Sequence, residues 1–278
     1  MPKCTEDRIE LGRVGRRIVE ANFRGGDISS DGGLMLLKRV DERLGLTRRA
    51  AQLMGDGRDA SRVRHELHHM LAQRIYGLCC GYEDLNDHQA LRDDLLMQTA
   101  LGRAEVLAST PTLCRLENSV GRAQNRALQE LLIEQFIGSM PTAPEELMLD
   151  IDASDVPLHG AQEGGEFHAY YDTRCYLPLY VFCGQALLAC YLRRSRIDGA
   201  KNATALIKTV VGRLREAWPR CRLIIRGDSG FCRQRLLRWC ERNDVGYVIG
   251  LARNARLHDR VALAEQAMAD EFDRTGIK

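Results

Sequence analysis

Two short apolar runs, each delivering an aspartate at its end, constrain this chain more than anything else in it. The first is Leu147-Met-Leu-Asp-Ile-Asp152 and the second is Ile224-Ile-Arg-Gly-Asp228. A period of two along the first puts Leu147, Leu149 and Ile151 on one face and Met148, Asp150 and Asp152 on the other. That is a strand with one side in a core. A carboxylate inside a central strand is costly unless it is paired or bound to metal, so these positions call for a partner.

The neighbouring segments say where that partner lies. Apolar stretches over 177–183 and 186–194 flank Gly184-Gln185 and read as a hairpin. An amphipathic helix fits 202–217, a strand 222–226, a helix 232–243 and a strand 247–251, while 155–166 reads as a glycine-bearing loop. The order is β-β-β-α-β-α-β. Three antiparallel strands, a helix, then parallel strands joined by a helix is the order of a ribonuclease H-like domain, in which the first and fourth strands are neighbours. Asp152 and Asp228 then sit together at one edge of the sheet, near where open α/β sheets bind ligands. Paired carboxylates there suit a divalent metal held against a phosphodiester. Asp152, nearest the strand end, is the first candidate ligand, Asp150 is the alternate, and Asp155 reads as a loop residue. Taken alone, Asp228 equally suits a turn residue in Gly227-Asp-Ser-Gly230 that caps the following helix.

Upstream the periodicity is helical. After a basic stretch with weak strand character, Arg13-Val-Gly-Arg-Arg17, the turn Ser29-Ser-Asp-Gly-Gly33 introduces a helix over 34–44, ended by Gly45. Thr47 is placed to cap a second helix reaching Met54. Val63, Leu67, Met70, Leu71, Ile75 and Leu78 predict one long helix over 60–80. Further helices fit 84–93, 94–101 and 112–137, the last introduced by Ser109-Thr-Pro-Thr112. The fold class expected is therefore α/β, an incomplete ribonuclease H-like mixed sheet over 145–255 preceded by an all-helical domain over 1–140. Met140-Pro-Thr-Ala-Pro144 is the expected boundary.

Composition narrows the setting. With 278 residues, 45% of them hydrophobic and 28% charged, the chain has room for a sizeable core. No stretch approaches the roughly 18 apolar residues of a membrane span, and the N-terminus lacks a signal-peptide core, so a cytoplasmic protein with no membrane partner is expected. Ten cysteines, irregularly spaced and without any C-x-x-C, read as thiols; Cys183, Cys190, Cys221, Cys232 and Cys240 lie among apolar residues. The net charge is only +2, but arginine greatly outnumbers lysine, which permits phosphate recognition. Arg58, Arg62, Arg64, Arg74, Arg115 and Arg122, on the helical stretches, are the candidates for phosphate contact. For each of them a solvated helix face is the plain alternative.

The two aspartate segments also resemble a known group. Ile224-Ile-Arg-Gly-Asp-Ser-Gly-Phe-Cys232, followed by Leu237-Arg-Trp-Cys240, is similar to the second-aspartate motif of bacterial insertion-sequence transposases of the DDE superfamily. Leu149-Asp-Ile-Asp-Ala-Ser-Asp155 with His159-Gly160 resembles the first-aspartate motif, and the nearest group is the insertion-sequence family numbered thirteen-eighty. Tyr170-Tyr-Asp172, Leu177-Pro-Leu-Tyr-Val-Phe-Cys183 and Ala200-Lys201 match its spacing. So do Ser30-Asp-Gly-Gly33, Asp41-Glu-Arg-Leu-Gly-Leu46, Cys80-Gly-Tyr-Glu-Asp84 and Pro111-Thr-Leu-Cys-Arg-Leu-Glu-Asn118 in the helical half. The resemblance implies a cut-and-paste DNA transposase that binds two Mg²⁺ or Mn²⁺ ions through three acids. It implies action on double-stranded DNA, at inverted-repeat ends and target, as a homodimer. Asp152 and Asp228 carry over as the first two acids.

The third acid of that group, a glutamate on a late helix, has no counterpart before Lys278. Glu265 and Glu271 lie on a possible final helix but follow Leu251 too soon to match it. The expectation is a C-terminally truncated transposase that is inactive alone, with 256–278 the start of a lost insertion or a disordered tail. A non-catalytic protein that occupies transposon ends and inhibits the full enzyme is the second reading. A third comes from His65-Glu-Leu-His-His69, which matches the H-E-x-x-H zinc-hydrolase helix, with a further ligand sought in Glu83, Asp84 or Asp87. The pairs Gly25-Gly26 and Gly32-Gly33 read as turns, lacking any G-K-[ST]. His159 and His168 lie near the first carboxylate and are expected to pack in loops, with contact to DNA or metal as the alternative.

Overall fold

A computed structural model describes residues 8–22, 31–252 and 254–276. Gly25-Gly26, and Ser29 and Ser30 of the expected helix cap, lie outside the described residues. The chain divides into two compact units, Met1–Gln135 and Phe136–Lys278.

The first unit is not all-helical. It opens with an antiparallel hairpin, β1 (Arg8–Val14) and β2 (Arg17–Asn22), turned at Gly15-Arg16. Gly15 supplies the positive φ (57°) that so tight a turn demands. The basic stretch with weak strand character, 13–17, is the turn of this hairpin with the adjoining ends of both strands, and the strands themselves went unread. Helices follow: α1 (Leu34–Leu44), α2 (Leu46–Met54), α3 (Leu67–Cys79), α4 (His88–Leu91), α5 (Leu95–Ala100), α6 (Thr110–Ser119) and α7 (Arg122–Ser139).

Several run shorter than the periodicity predicts, and short polar side chains are the reason. Asp59 accepts the Ser61 backbone N–H at 3.0 Å and caps an isolated 3₁₀ turn, Ala60–Arg62. The backbone is extended at Val63 and Glu66, so the long helix expected over 60–80 begins only at Leu67. Asp84 does the same for Leu85–Asp87, satisfying the Asn86 N–H at 2.9 Å and breaking the helix expected over 84–93. These are the local side-chain hydrogen bonds that compete with helix propagation. The helix over 112–137 is likewise two, interrupted at Val120-Gly121. Thr47 is no cap. It lies inside α2 and donates its hydroxyl to Asp41 at 2.5 Å. Asp94 is a cap as its position suggests, accepting the Met97 N–H at 2.6 Å.

The helices enclose two apolar clusters, one around Leu34, Met35, Tyr76 and Met97, the other around Met70, Leu113 and Leu116. His88 is fully buried against α3, where a methyl on Gly77 would come within 2.7 Å of its Cε1. Burial pushes the imidazoles of His65, His69 and His88 below their ordinary value of 6.5. The unfolded chain therefore binds protons that the folded chain resists. Stability is full above about pH 6.5 and is lost as the pH falls through the lowered folded values. Thermal melts between about pH 7.5 and 5 should show Tm declining toward acid; a flat profile would contradict this account.

The second unit carries β3 (Glu146–Ala153), β4 (Val156–Pro157), β5 (Glu166–His168), β6 (Thr173–Tyr176), β7 (Leu179–Cys183), β8 (Ala186–Tyr191), α8 (Ala203–Ala217), β9 (Arg222–Gly227), α9 (Gln234–Arg242), β10 (Gly246–Ile249) and α10 (Ala255–Thr275). Five strands form one mixed sheet in the order β10-β9-β3-β7-β8. The first and fourth strands of the predicted series, β3 and β9, are parallel neighbours as expected. Leu147, Leu149 and Ile151 are buried, in register with Leu223, Ile225 and Gly227, and the opposite face carries Met148, Asp150 and Arg226, which β3–β9 pairing leaves more open. The predicted alternation is thus the observed one.

The expected loop over 155–166 is only partly a loop. Its ends contribute β4 and β5 to a second sheet of three short strands, β4-β6-β5. Cys221 and Cys240 are buried, with Cys240 pushed up to about 11 by burial, and Cys183, Cys190 and Cys232 are half-buried. α10 is continuous and buries no residue, leaving Leu263 and Met268 exposed. Among the described residues no helix is long and apolar enough to cross a membrane.

Candidate functional site

The parallel register of β3 and β9 aligns Asp150 with Arg226 and Ile151 with Gly227. The next residues along are Asp152 and Asp228. Two exposed carboxylates are thereby delivered side by side at the C-terminal ends of adjacent parallel strands. Asp228 also caps: its Oδ1 accepts the Gly230 N–H at 2.9 Å, starting the turn Ser229–Phe231. The turn reading and the ligand reading of this residue are therefore compatible, since the cap occupies one carboxylate oxygen. Asp152 accepts from Ser154 Oγ at 2.8 Å.

Close packing holds the Asp228 segment. A Cβ on Gly227 would meet Ile151, Phe231 and Ile249 at 3.0–3.3 Å. Gly250 donates its N–H to the Gly227 carbonyl at 3.1 Å, and a Cβ there would come within 2.9 Å of the Ser229 nitrogen. At Gly250 the backbone itself leaves no room for a side chain, and at Gly227 three core side chains would have to give by a few tenths of an ångström.

Asp150 is differently placed. Arg226, directly across on β9, donates Nε to Oδ1 at 2.5 Å and a terminal nitrogen to Oδ2 at 2.9 Å. This bidentate pair occupies both oxygens of the alternate ligand and satisfies the in-strand carboxylate. Arg226 was legible as a strand residue, but its role needed the β3–β9 register. Tyr171 was also missed as a neighbour of the site. Its hydroxyl donates to the Ala153 carbonyl at 3.4 Å, and burial, with Asp155 and Asp152 nearby, raises its phenol above the usual value. The His168 ring lies tilted against Tyr171 with centroids 4.9 Å apart, and its Nδ1 is buried without a hydrogen-bond partner; His159 is exposed.

The H-E-x-x-H segment does not have the geometry its spacing suggests. Glu66 is the N-cap of α3, so His65 precedes the helix and the two histidines do not share a helical face. His65 lines a cleft with Arg58 and Arg64, whereas His69 lines a separate one with Asp41 and His68. Among the described residues no three of His, Cys, Asp and Glu converge as a metal-binding cluster. Asp152 and Asp228 nevertheless supply hard oxygen donors of the kind that suits a cation keeping water and phosphate in its other positions.

Residues 11–276 match the family described as transposase DDE domain group 1. The chain belongs to that family. No curated protein matches it. Among solved structures it is similar to piggyBac transposase in a synaptic complex with hairpin DNA, at 16% identity and a TM-score of 0.37, over 80% of this chain and 52% of that one. It is also similar to the Drosophila P element transposase in a strand transfer complex, at 13% identity and a TM-score of 0.30, over 64% of this chain and 44% of that one. The chain spans about half the length of either protein.

In this DDE transposase domain the six candidate arginines separate into groups. Arg58, Arg62, Arg64 and Arg115 line one cleft of about 810 Å³ in the first unit, together with Arg92, which sequence reasoning passed over. Arg92 Nε is buried there without a hydrogen-bond partner. Asp56 is the one carboxylate lining the cleft, and Arg58 holds it with bonds of 2.7 and 2.6 Å. Burial, then Arg64, Arg103, Arg92 and Arg58, lower the His65 imidazole, which registers the positive potential of the cleft. Arg74 and Arg122 are not part of it. Arg74 is spent on structure, with bonds to Glu117 (2.7 Å) and to the Tyr82 and Glu83 carbonyls (3.2 and 2.8 Å). Arg122 stands exposed at the start of α7.

Proposed function

We propose that this chain is part of a DNA transposase of the insertion-sequence family numbered thirteen-eighty, with a ribonuclease H-like catalytic domain over 145–255 and a DNA-binding domain over 1–140. The observation that carries the reading is the β3–β9 register, which brings Asp152 and Asp228 to one strand edge. These two carboxylates would hold a divalent cation, Mg²⁺ or Mn²⁺, whose chemistry is to polarise a phosphodiester and its nucleophile. The chain's own groups do the positioning. Ser154 and the Gly230 N–H orient the carboxylates, Gly227 and Gly250 let the Asp228 turn seat against the sheet, and Arg226 withdraws Asp150.

The arginine cleft of the first unit suits backbone phosphates of duplex DNA, with Arg62, Arg64 and Arg115 exposed along it. Such contacts position a protein without reading bases. The reading takes Asp152 and Asp228 as two acids of the site, and takes the chain alone to hold transposon ends, as a dimer, without cutting them. The purified chain should bind an inverted-repeat duplex with a steep inverse dependence on salt, and should yield no cleaved or joined product in Mg²⁺. Robust Mg²⁺-dependent cleavage defeats the inactivity; absence of salt-sensitive binding defeats the DNA reading.

A further inference from the structure

A second basic surface lies in the carboxylate-bearing unit, and nothing in the sequence reading used it. Between α8 and α9 runs a groove of about 370 Å³ whose seven lining residues include four cations, Lys208, Arg235, Arg238 and Arg242, and no acid. Spacings of three and four residues put the three arginines on one stripe of α9, opposite the buried Leu236 and Cys240. All four cations are exposed. Lys208 sits over the Trp239 ring at 5.9 Å from its centroid. The groove is braced at its far end, where Arg215 of α8 donates to the Asp244 carbonyl at 2.9 Å, just past the end of α9. β8, β3 and β9 run in the same direction, so α8 and α9 both start at the edge where Asp152 and Asp228 lie. Thr204 and Gln234, in the first turns of the two helices, mark that end of the groove.

We propose that the α8–α9 groove binds the sugar-phosphate backbone of duplex DNA, as a track leading away from the paired carboxylates. The proposal rests on the reading of this chain as acting on DNA and adds a contact surface to it. The seven residue steps from Arg235 to Arg242 rise about 10 Å along the helix, close to about three successive phosphate steps at ~3.4 Å per strand. A single free phosphate would call for donors converging on one point. These are spread along a line and open to solvent, which suits a polyanion of regular charge spacing. Arginine forks match the paired oxygens of a backbone phosphate.

The test uses the full chain, EDTA, and a labelled duplex of about 30 base pairs of arbitrary sequence. The triple variant R235Q/R238Q/R242Q should bind at least about tenfold more weakly at ~0.1 M salt, with a log–log salt slope shallower by about 2–3, since each lost phosphate contact removes about 0.9. The triple arginine-to-lysine variant should retain most of the slope, and Arg220→Gln, exposed beyond the C-terminal end of α8, should change nothing. Titration with duplex should alter tryptophan fluorescence in the parent chain and not in Trp239→Phe. Unchanged affinity and slope in the triple glutamine variant overturns the proposal, as does tighter binding of polyglutamate than of duplex. Failure here is separable from failure of the carboxylate site. Asp152→Asn and Asp228→Asn remove negative charge and should not weaken duplex binding in EDTA, and the triple glutamine variant should leave Mn²⁺ binding intact.

Discussion

Asp152→Asn or Asp228→Asn should weaken Mn²⁺ binding by about tenfold or more, a loss at least as large as that from removing a group that merely orients a ligand. Asparagine keeps the shape and one carbonyl oxygen, so each variant removes charge while preserving the Ser154 and Gly230 hydrogen bonds. Asp150→Asn provides the contrast. Its carboxylate is already paired with Arg226 through two bonds, so its loss should leave metal affinity within about twofold. Mn²⁺ titration followed by electron paramagnetic resonance reads all three. Equal affinity in every variant would remove the site. A large loss confined to Asp150→Asn would transfer the ligand role to that residue.

The largest stability effect should come from the same strand, one position before the alternate ligand. Leu149 is fully buried in β3, in register with Ile225 of β9. Truncation to alanine removes the transfer energy of its side chain and leaves a cavity in the middle of a sheet whose neighbours are fixed by hydrogen bonds on both sides. A cost of about 2–5 kcal/mol is expected. Leu263→Ala on α10, where the side chain is 86% exposed, should change stability by less than about 0.5 kcal/mol. Urea unfolding of both variants measures the difference. Similar costs for the two would mean that the sheet core lies elsewhere.

The second unit was read more accurately than the first, and particular residues show why. Over 147–151 leucine and isoleucine recur at every second position, with Met148 the one apolar residue on the other face, and such alternation is the signal of a half-buried strand. Over 60–80 the apolar positions keep helical spacing, yet Asp59 and the extended Val63 and Glu66 stop the helix short. Side-chain capping is decided atom by atom and leaves little trace in periodicity. The β1–β2 hairpin was hidden for a related reason: charged residues interrupt the apolar positions of both strands, and the decisive signal is the one glycine at the turn. At the carboxylate edge, Asp152 and Asp228 were legible as candidates. The capture of Asp150 by Arg226 was not, because 76 residues separate them in the chain.

Sequence by itself determined the character of this protein's core: one strand with three buried apolar residues, an aspartate at its end, and a second aspartate-bearing strand beside it in the β-β-β-α-β order of the five-stranded sheet. Hydrophobic periodicity is a local property, so the chain can state it. Tertiary structure decided which charges meet. It separated Asp150 from Asp152, gathered Arg92 with the arginines of one cleft, withdrew Arg74 into structural bonds, and set α8 beside α9 so that four cations share a groove. Those outcomes depend on distances between residues far apart in sequence. Electrostatic interactions fall with distance and with exposure to water, so only the folded arrangement assigns each charge its partner.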